Sequence, residues 1–254
     1  MTSLRGKLYL LRGKDVDQVE VYDVITYRLL RCLTVPNARG FNDMTSCEHS
    51  LCLYICDGIA ECLHRLELLG GATKWQVNDV PNNLSVNADR DVIVTCNKVR
   101  KVKVFSPGGH LLRDVTLPDD VVKPWHAIQL TSGQFIVCHG GDDPIHRVCR
   151  MSSDGAHIVQ SHGGQPGSDI GQYDVPYHLA VDNNEFIFVA DRNNRRVTLL
   201  SPTLDYVRQV VSRDQVKWKP YRLCLDVARR RLYVTDNERK DGMYTVGRVV
   251  VFSV

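Results

Sequence analysis

The sequence predicts an all-β protein, a six-bladed β-propeller of four-stranded antiparallel blades with incomplete first and last repeats, and three observations carry that prediction. An apolar strand closing on a small and then a polar residue returns six times, as Leu8–Arg12, Leu53–Asp57, Ile93–Asn97, Phe135–His139, Phe188–Asp191 and Leu232–Asp236. The closing polar residues are 45, 40, 42, 52 and 45 positions apart, a period that belongs to propeller and solenoid arrays. Helical periodicity is nearly absent, and no apolar run reaches the roughly 18 residues a membrane span needs.

Each element follows from its residues. In the clearest copy His178–Asp182 is a short strand, Asn183-Asn184-Glu185 a turn, Phe186–Ala190 a second strand and Asp191–Asn194 another polar turn. Arg196–Leu200 makes a third strand, Ser201-Pro202 breaks it, and Tyr206–Val211 makes a fourth. Four β-rich segments bounded by Asn, Asp, Gly or Pro form an antiparallel meander, one blade. The blades then run over residues 1–40, 41–81, 82–124, 125–176, 177–220 and 221–254, as one domain. Blade one is read as starting at Lys7–Arg12, which matches the second strand of the repeat, followed by Gln18–Asp23 and Tyr27–Val35. The last blade has Arg222–Asp226, Arg231–Asp236 and Arg248–Val254, so each terminal repeat is expected to lack one strand, with ring closure either imperfect or completed by sequence outside this chain.

Over 254 residues, 43% hydrophobic content supplies a sizeable core. A formal net charge of +3 is far from the strongly basic balance typical of nucleic-acid binders. Nine cysteines at irregular spacing do not form a disulfide framework, and the start MTSLRGKLYL lacks the apolar stretch of a signal peptide, so reduced thiols in the cytoplasm are expected. Cys56, Cys96 and Cys138 align with Ala190 and Thr235, which reads as a crowded position needing a small side chain.

The segment His162–Tyr173 (HGGQPGSDIGQY), followed by Val175–Asp182 (VPYHLAVD) and Phe188–Val197 (FVADRNNRRV), resembles an NHL repeat, and Asn83–Asn97 and Arg222–Asp236 keep the same frame. The resemblance implies the propeller fold. NHL propellers also serve as recognition ends of RING-type ubiquitin ligases and as protein-binding or RNA-binding surfaces, and are related to the amidating lyase and gluconolactonase-type propellers. No RING or B-box Cys/His spacing occurs in this chain.

On the geometry the resemblance implies, the connection entering each first strand and the turn after each second strand open on one face. The entries carry Asp43, Asn83, His126, His178 and Arg222, with Trp125, Tyr177 and Tyr221 after Pro124, Pro176 and Pro220. The turns carry Arg12, Asp57, Asn97, His139, Asp191 and Asp236. Lys101, Arg147, Arg196 and Arg248 are expected to support their hairpins by charge-assisted contacts to Asn97, Asp142 or Asp143, Asp191 and Asp236. The cations that remain are Arg12, Lys14, Lys98, Arg100, Arg192, Arg195, Arg239 and Lys240, with Glu61, Asp142, Asp143, Glu238 and Asp241 on the same rim.

A mixed-charge rim with aromatics suits a protein or peptide ligand somewhat better than single-stranded RNA. The expected binding face is Trp125, His126, Tyr177, His178, Tyr221, Arg222, Arg192, Arg195, Lys98 and Arg100, with no catalytic residue, no cofactor and no membrane partner. The alternative is a metal-dependent hydrolase or lyase using His126, His139 and His178. Against it, His126 and His178 stand one residue later than the resemblance to the lyase asks, and one residue of slip in a strand reverses a side chain's face. Cys52 and Cys56 lie in one strand about 13 Å apart, too far for a shared zinc. The turn His139–His146 (HGGDDPIH) has too few oxygen ligands for calcium. Gly163–Gly171 resembles a phosphate cradle but leads into a strand rather than a helix.

Overall fold

The structure, a computed structural model, describes the chain outside residues 12–17, 142–143, 238, 241–242 and 245–246, and of 239–240 and 243–244 it describes the backbone only. Arg12, Lys14, Asp142, Asp143, Glu238 and Asp241, and the side chains of Arg239 and Lys240, therefore lie outside the described residues. The chain is a six-bladed β-propeller of antiparallel sheets and divides into two compact units, residues 1–115 and 116–254.

The first unit holds three blades, each of four strands in sequence order. Blade one is Thr2–Leu4, Lys7–Leu11, Gln18–Asp23 and Leu29–Thr34; blade two is Phe41–Cys47, Cys52–Asp57, Cys62–Glu67 and Ala72–Gln76; blade three is Asn83–Val86, Val92–Cys96, Lys101–Phe105 and Leu111–Thr116. The second unit holds Pro124–Gln129, Phe135–His139, His146–Met151 and Ile158–Gly164 as blade four, and Pro176–Val181, Ile187–Asp191, Arg196–Leu200 and Tyr206–Val211 as blade five. Blade six has three described strands, Lys219–Asp226, Arg231–Asn237 and Arg248–Ser253, with a small hairpin, Arg239–Lys240 against Met243–Tyr244, between the last two.

Burial explains why the repeat is visible. The second strands Cys52–Asp57, Val92–Cys96, Phe135–His139 and Ile187–Asp191 are buried at every position, because each has strands on both edges and a neighbouring blade on its faces. Such strands read as unbroken apolar runs. The outermost strands are largely exposed, as at Leu29–Thr34 and Ala72–Gln76, and their sequences are mixed.

Successive blades share cores within each unit. Leu4, Tyr9, Val19 and Val21 pack on Met44, Leu53 and Ile55 between blades one and two, and Tyr54, Leu63 and Val77 pack on Leu84, Val94 and Phe105 between blades two and three. Trp75 closes the second of these, with ring centroids 6.1 Å from Tyr54 and 6.3 Å from Phe105. In the other unit Ile136, Cys138 and Val148 meet Leu179 and Val189, and Phe188 and Leu199 meet Leu223 and Val234. Each fully buried aliphatic or aromatic side chain stabilises by about 1.5–3 kcal/mol.

Two expectations change. Blade one is not missing a strand: Thr2–Leu4 pairs antiparallel with the next strand through a two-residue turn, Arg5-Gly6, with φ of 50° and 69° at its centre. Positive φ at both positions is the hairpin geometry that matches strand twist. Three residues were too few for the strand to show as a periodic segment.

Blade three is also offset by one residue. Asn83 pairs with Thr95, as Asp43 does with Cys56, His178 with Ala190 and Arg222 with Thr235. Cys96 pairs with Lys101, as Asp191 does with Arg196. Thr95 is thus the small residue of this blade, and Cys96 stands where other blades place Asp57, His139, Asp191 or Asp236. With no acid there, Lys101 reaches Asp114 at 3.1 Å instead of Asn97. All nine cysteines are free, and all but Cys32 are buried. Burial pushes the Cys96 and Cys149 thiols up to about 12, so they pack as small hydrophobes.

Candidate functional site

In blades two, four, five and six the buried residue closing the second strand pins the connection that enters its blade. Asp57 accepts the N–H groups of Arg39 and Gly40 at 2.6 and 3.0 Å, and those of Ile59 and Ala60 in its own turn. Asp191 accepts Asp174 N–H at 2.8 Å and Arg196 Nε–H at 2.7 Å, and Asp236 accepts Lys217 and Trp218 N–H and is held by Arg248. In blade four His139 takes this place: Nδ1 donates to Val122 O, and Nε2 accepts from Arg147 Nε at 2.9 Å. Arg147 also pairs with Asp120 at 2.6 Å. The cations expected to support hairpins do so in blades five and six with the expected carboxylates, and in blade four through His139 and Asp120. All of these closing residues are structural clamps.

The entries of blades four, five and six each contain a bulge. Pro124 and His126 pair with consecutive residues of the next strand, as do Pro176 and His178, and Pro220 and Arg222, leaving Trp125, Tyr177 and Tyr221 as the extra residues. A bulge suspends the alternation of side chains between faces, so one residue of slip does not by itself reverse the face of His126 or His178. Two rows result. The rings of Trp125, Tyr177 and Tyr221 stack in succession at 4.8 and 4.6 Å, with Tyr177 Oη donating to Tyr221 Oη at 2.8 Å. Beside them His126 and His178 stack at 4.0 Å, and the Arg222 guanidinium lies 4.3 Å from the Tyr221 ring.

The second row is an inter-blade staple. His126 Nδ1 accepts Leu179 N–H at 3.1 Å, and His178 Nδ1 accepts Leu223 N–H at 3.4 Å. Asp43 does the same within the first unit, taking Leu84 N–H at 3.0 Å. An imidazole accepting at Nδ1 carries its proton at Nε2, the wrong tautomer for a metal ligand at Nε2. Burial holds His139 down to about 4, with the Arg147 charge adding to the effect, and both its nitrogens are engaged. His126 and His178 bring ligand atoms within 4.8 Å of each other, but among the described residues His139 does not join them at that distance.

The remaining cations separate. Arg195 donates to Val216 O at 2.8 Å and Lys217 O at 2.5 Å, tying the blade-five turn to the next connection. Lys98 is exposed and Arg100 half-buried on the corresponding turn of blade three, in the first unit. Arg192 instead lies 5.6 and 6.0 Å from the Tyr177 and Tyr221 rings; its Nε, like that of Arg195, is buried with no hydrogen-bond partner among the described residues. Lys219 is close enough that Arg192, after burial, lowers its pKa, with Asp174 opposing. Lys219 Nζ donates to Asn193 Oδ1 at 2.7 Å, and Asn193 donates to Asp174. Sequence reasoning missed Lys219 because its partners come from the preceding blade. An open basin of about 460 Å³ nearby in sequence is lined by Arg195, Arg213, Lys217 and Arg248, with Asp214.

The two suspected loops are structural. His146 Nε2 donates to Gly141 O and Nδ1 accepts Val175 N–H at 3.2 Å, fastening the end of the HGGDDPIH turn. In the glycine-rich segment, Arg196 donates to the carbonyls of Ser168 and Gln172, so the loop turns oxygens toward a guanidinium rather than N–H groups toward a phosphate. Gly163 has φ of 105°, and a Cβ there would meet His146 O at 2.5 Å.

No protein-family model matches the chain, and no curated protein matches it. Solved structures do. Hydrazine synthase of Kuenenia stuttgartiensis superposes with a TM-score of 0.68 at 13% identity, covering 98% of this chain and 92% of that one. A virginiamycin B lyase of Staphylococcus aureus bound to quinupristin gives 0.68 at 10% identity, covering 99% and 82%. The nidogen/laminin complex gives 0.67 at 17%, covering 90% and 85%. These likenesses define the class, a six-bladed β-propeller, and extend to the fold alone. Likeness to the NHL repeat in particular rests on the sequence segments quoted above.

Proposed function

We propose that the chain is a non-catalytic recognition module that binds a protein or peptide on the surface formed by Trp125, Tyr221, Arg192 and Lys219, over the buried Tyr177, and takes an acidic group there. The observation that carries this reading is Arg192, a half-buried guanidinium that lies beside the Tyr177 and Tyr221 rings and next to a second cation, Lys219. A carboxylate presented by a partner pairs with two such neighbouring cations through charge-assisted hydrogen bonds. Aromatics and arginine are the residue types that dominate binding hot spots. Propellers serve in protein complexes, as the nidogen/laminin neighbour illustrates. The NHL-like segments support the same use, in which a propeller selects substrates for a ubiquitin ligase. Lys98 and Arg100, on the equivalent turn of blade three, are the first unit's candidates for contacts of this kind.

The test is peptide-display selection on the purified chain, with single-stranded RNA titrated in parallel over a salt series. Enrichment of peptides bearing Asp, Glu or a free C-terminal carboxylate, lost by at least about 30-fold (about 2 kcal/mol) in Arg192→Ala, is expected. Enrichment indifferent to Arg192, or steeply salt-dependent RNA binding without peptide enrichment, overturns the reading.

A further inference from the structure

In blade two the clamp is built differently. The position that pairs with the closing carboxylate is arginine in blades five and six, where Arg196 meets Asp191 at 2.7 Å and Arg248 meets Asp236 at 2.9 Å. Blade two has Cys62 there, paired with Asp57. Asp57 is completely buried and, among the described residues, has no Arg or Lys partner. What it has instead is His64, two residues along the same strand and on the same face, with Nε2 3.5 Å from Asp57 Oδ2 and 3.6 Å from Cys62 Sγ.

Both contacts fall on one nitrogen, so this is not a nucleophile–base–acid relay, which would use the two imidazole nitrogens separately. An oxygen, a sulfur and a nitrogen converge instead, all within 4.8 Å of one another. Around tetrahedral zinc, with bonds of about 2.0–2.3 Å, ligand atoms lie about 3.3–3.8 Å apart. The two measured separations fit that spacing. Four backbone N–H groups, from Arg39, Gly40, Ile59 and Ala60, already fix the carboxylate, which is the kind of outer support that metal-ligating carboxylates receive. The cysteine and histidine are 1% and 2% exposed, so the three groups meet screened from bulk solvent.

We infer that Asp57, Cys62 and His64 form a structural zinc site, in which a divalent cation supplies the positive charge that an arginine supplies in blades five and six. Zinc replaces the Cys62 thiol proton, which leaves to solvent, and the imidazole binds as the neutral base. Water completes the fourth position. Lys74, on the adjoining strand opposite His64, is the cation that, among the described residues, acts on His64 and Cys62.

Metal analysis and cobalt spectroscopy on the intact, untagged chain test this. Wild type expressed with zinc is expected to retain about one equivalent through dialysis, and its Co²⁺ form to show thiolate-to-cobalt charge transfer that Cys62→Ser abolishes. Cys62→Arg, which copies blades five and six, is expected to fold and to bind no zinc. A folded wild-type chain that takes up no metal, a cobalt form without the thiolate band, or a Cys62→Arg chain that keeps its zinc overturns the assignment. Should Cys62→Ser fail to fold, the wild-type cobalt spectrum and Cys62→Arg decide.

Discussion

His126 Nδ1 accepts the backbone N–H of Leu179 from the next blade at 3.1 Å, and both groups are buried. Removing the acceptor strands a buried donor. His126→Ala is therefore expected to lower stability by about 1–3 kcal/mol, with His178→Ala behaving alike through Leu223. Urea unfolding checks this; loss below about 0.5 kcal/mol contradicts the staple.

His139 sets a pH dependence. Its imidazole titrates at about 4 in the folded chain, because burial and then Arg147 disfavour the cation, while Val122 O and Asp120 favour it. In the unfolded chain it titrates near about 6.5. Between these values only the unfolded state binds the proton, so stability is full above about pH 6.5 and falls as pH drops toward 4. The group's share is about 3 kcal/mol. His64 and His162 are also lowered by burial and act in the same direction, so the measurement is the difference between wild type and His139→Gln, whose unfolding free energy should vary less over that window.

Arg195 and Arg192 separate structure from recognition. Arg195→Ala breaks two bonds to the blade-six connection and is expected to cost about 1–3 kcal/mol. Arg192→Ala removes no hydrogen bond, and its thermal midpoint should stay close to wild type. Calorimetry on the two variants decides, and equal losses would count against giving them different roles.

Breaking the blade-five clamp should be severe. Arg196→Ala leaves Asp191, a fully buried carboxylate, without its guanidinium and frees the loop carbonyls of Ser168 and Gln172. A loss of about 3–5 kcal/mol is expected, partly recovered in Arg196→Ala with Asp191→Asn. No recovery in the double variant would place the energy in the loop contacts instead.

The second strands were legible because they are buried on all sides and leave continuous apolar runs. Thr2–Leu4 was hidden by brevity. The offset in blade three was hidden because Thr95 and Cys96 are both small and either satisfies the repeat. Residue types at the site were legible too: Trp125, Tyr177, Tyr221 and Arg192 stood out as aromatics and cations. Their stacking was not, since it depends on bulges at Pro124, Pro176 and Pro220, which appear only once two strands are paired. Cys62 and His64 gave no signal because their spacing means nothing until Asp57 is placed across the hairpin.

The bulged entries set two neighbouring side chains together at the start of each of the last three blades. In blades four and five one of them, His126 or His178, takes a backbone N–H of the next blade, while its neighbour stacks on the aromatic of that same blade. One inserted residue per blade thus doubles the side chains that bind each of these blades to the next, so a change at either position of an entry is felt by the adjoining blade as well as its own.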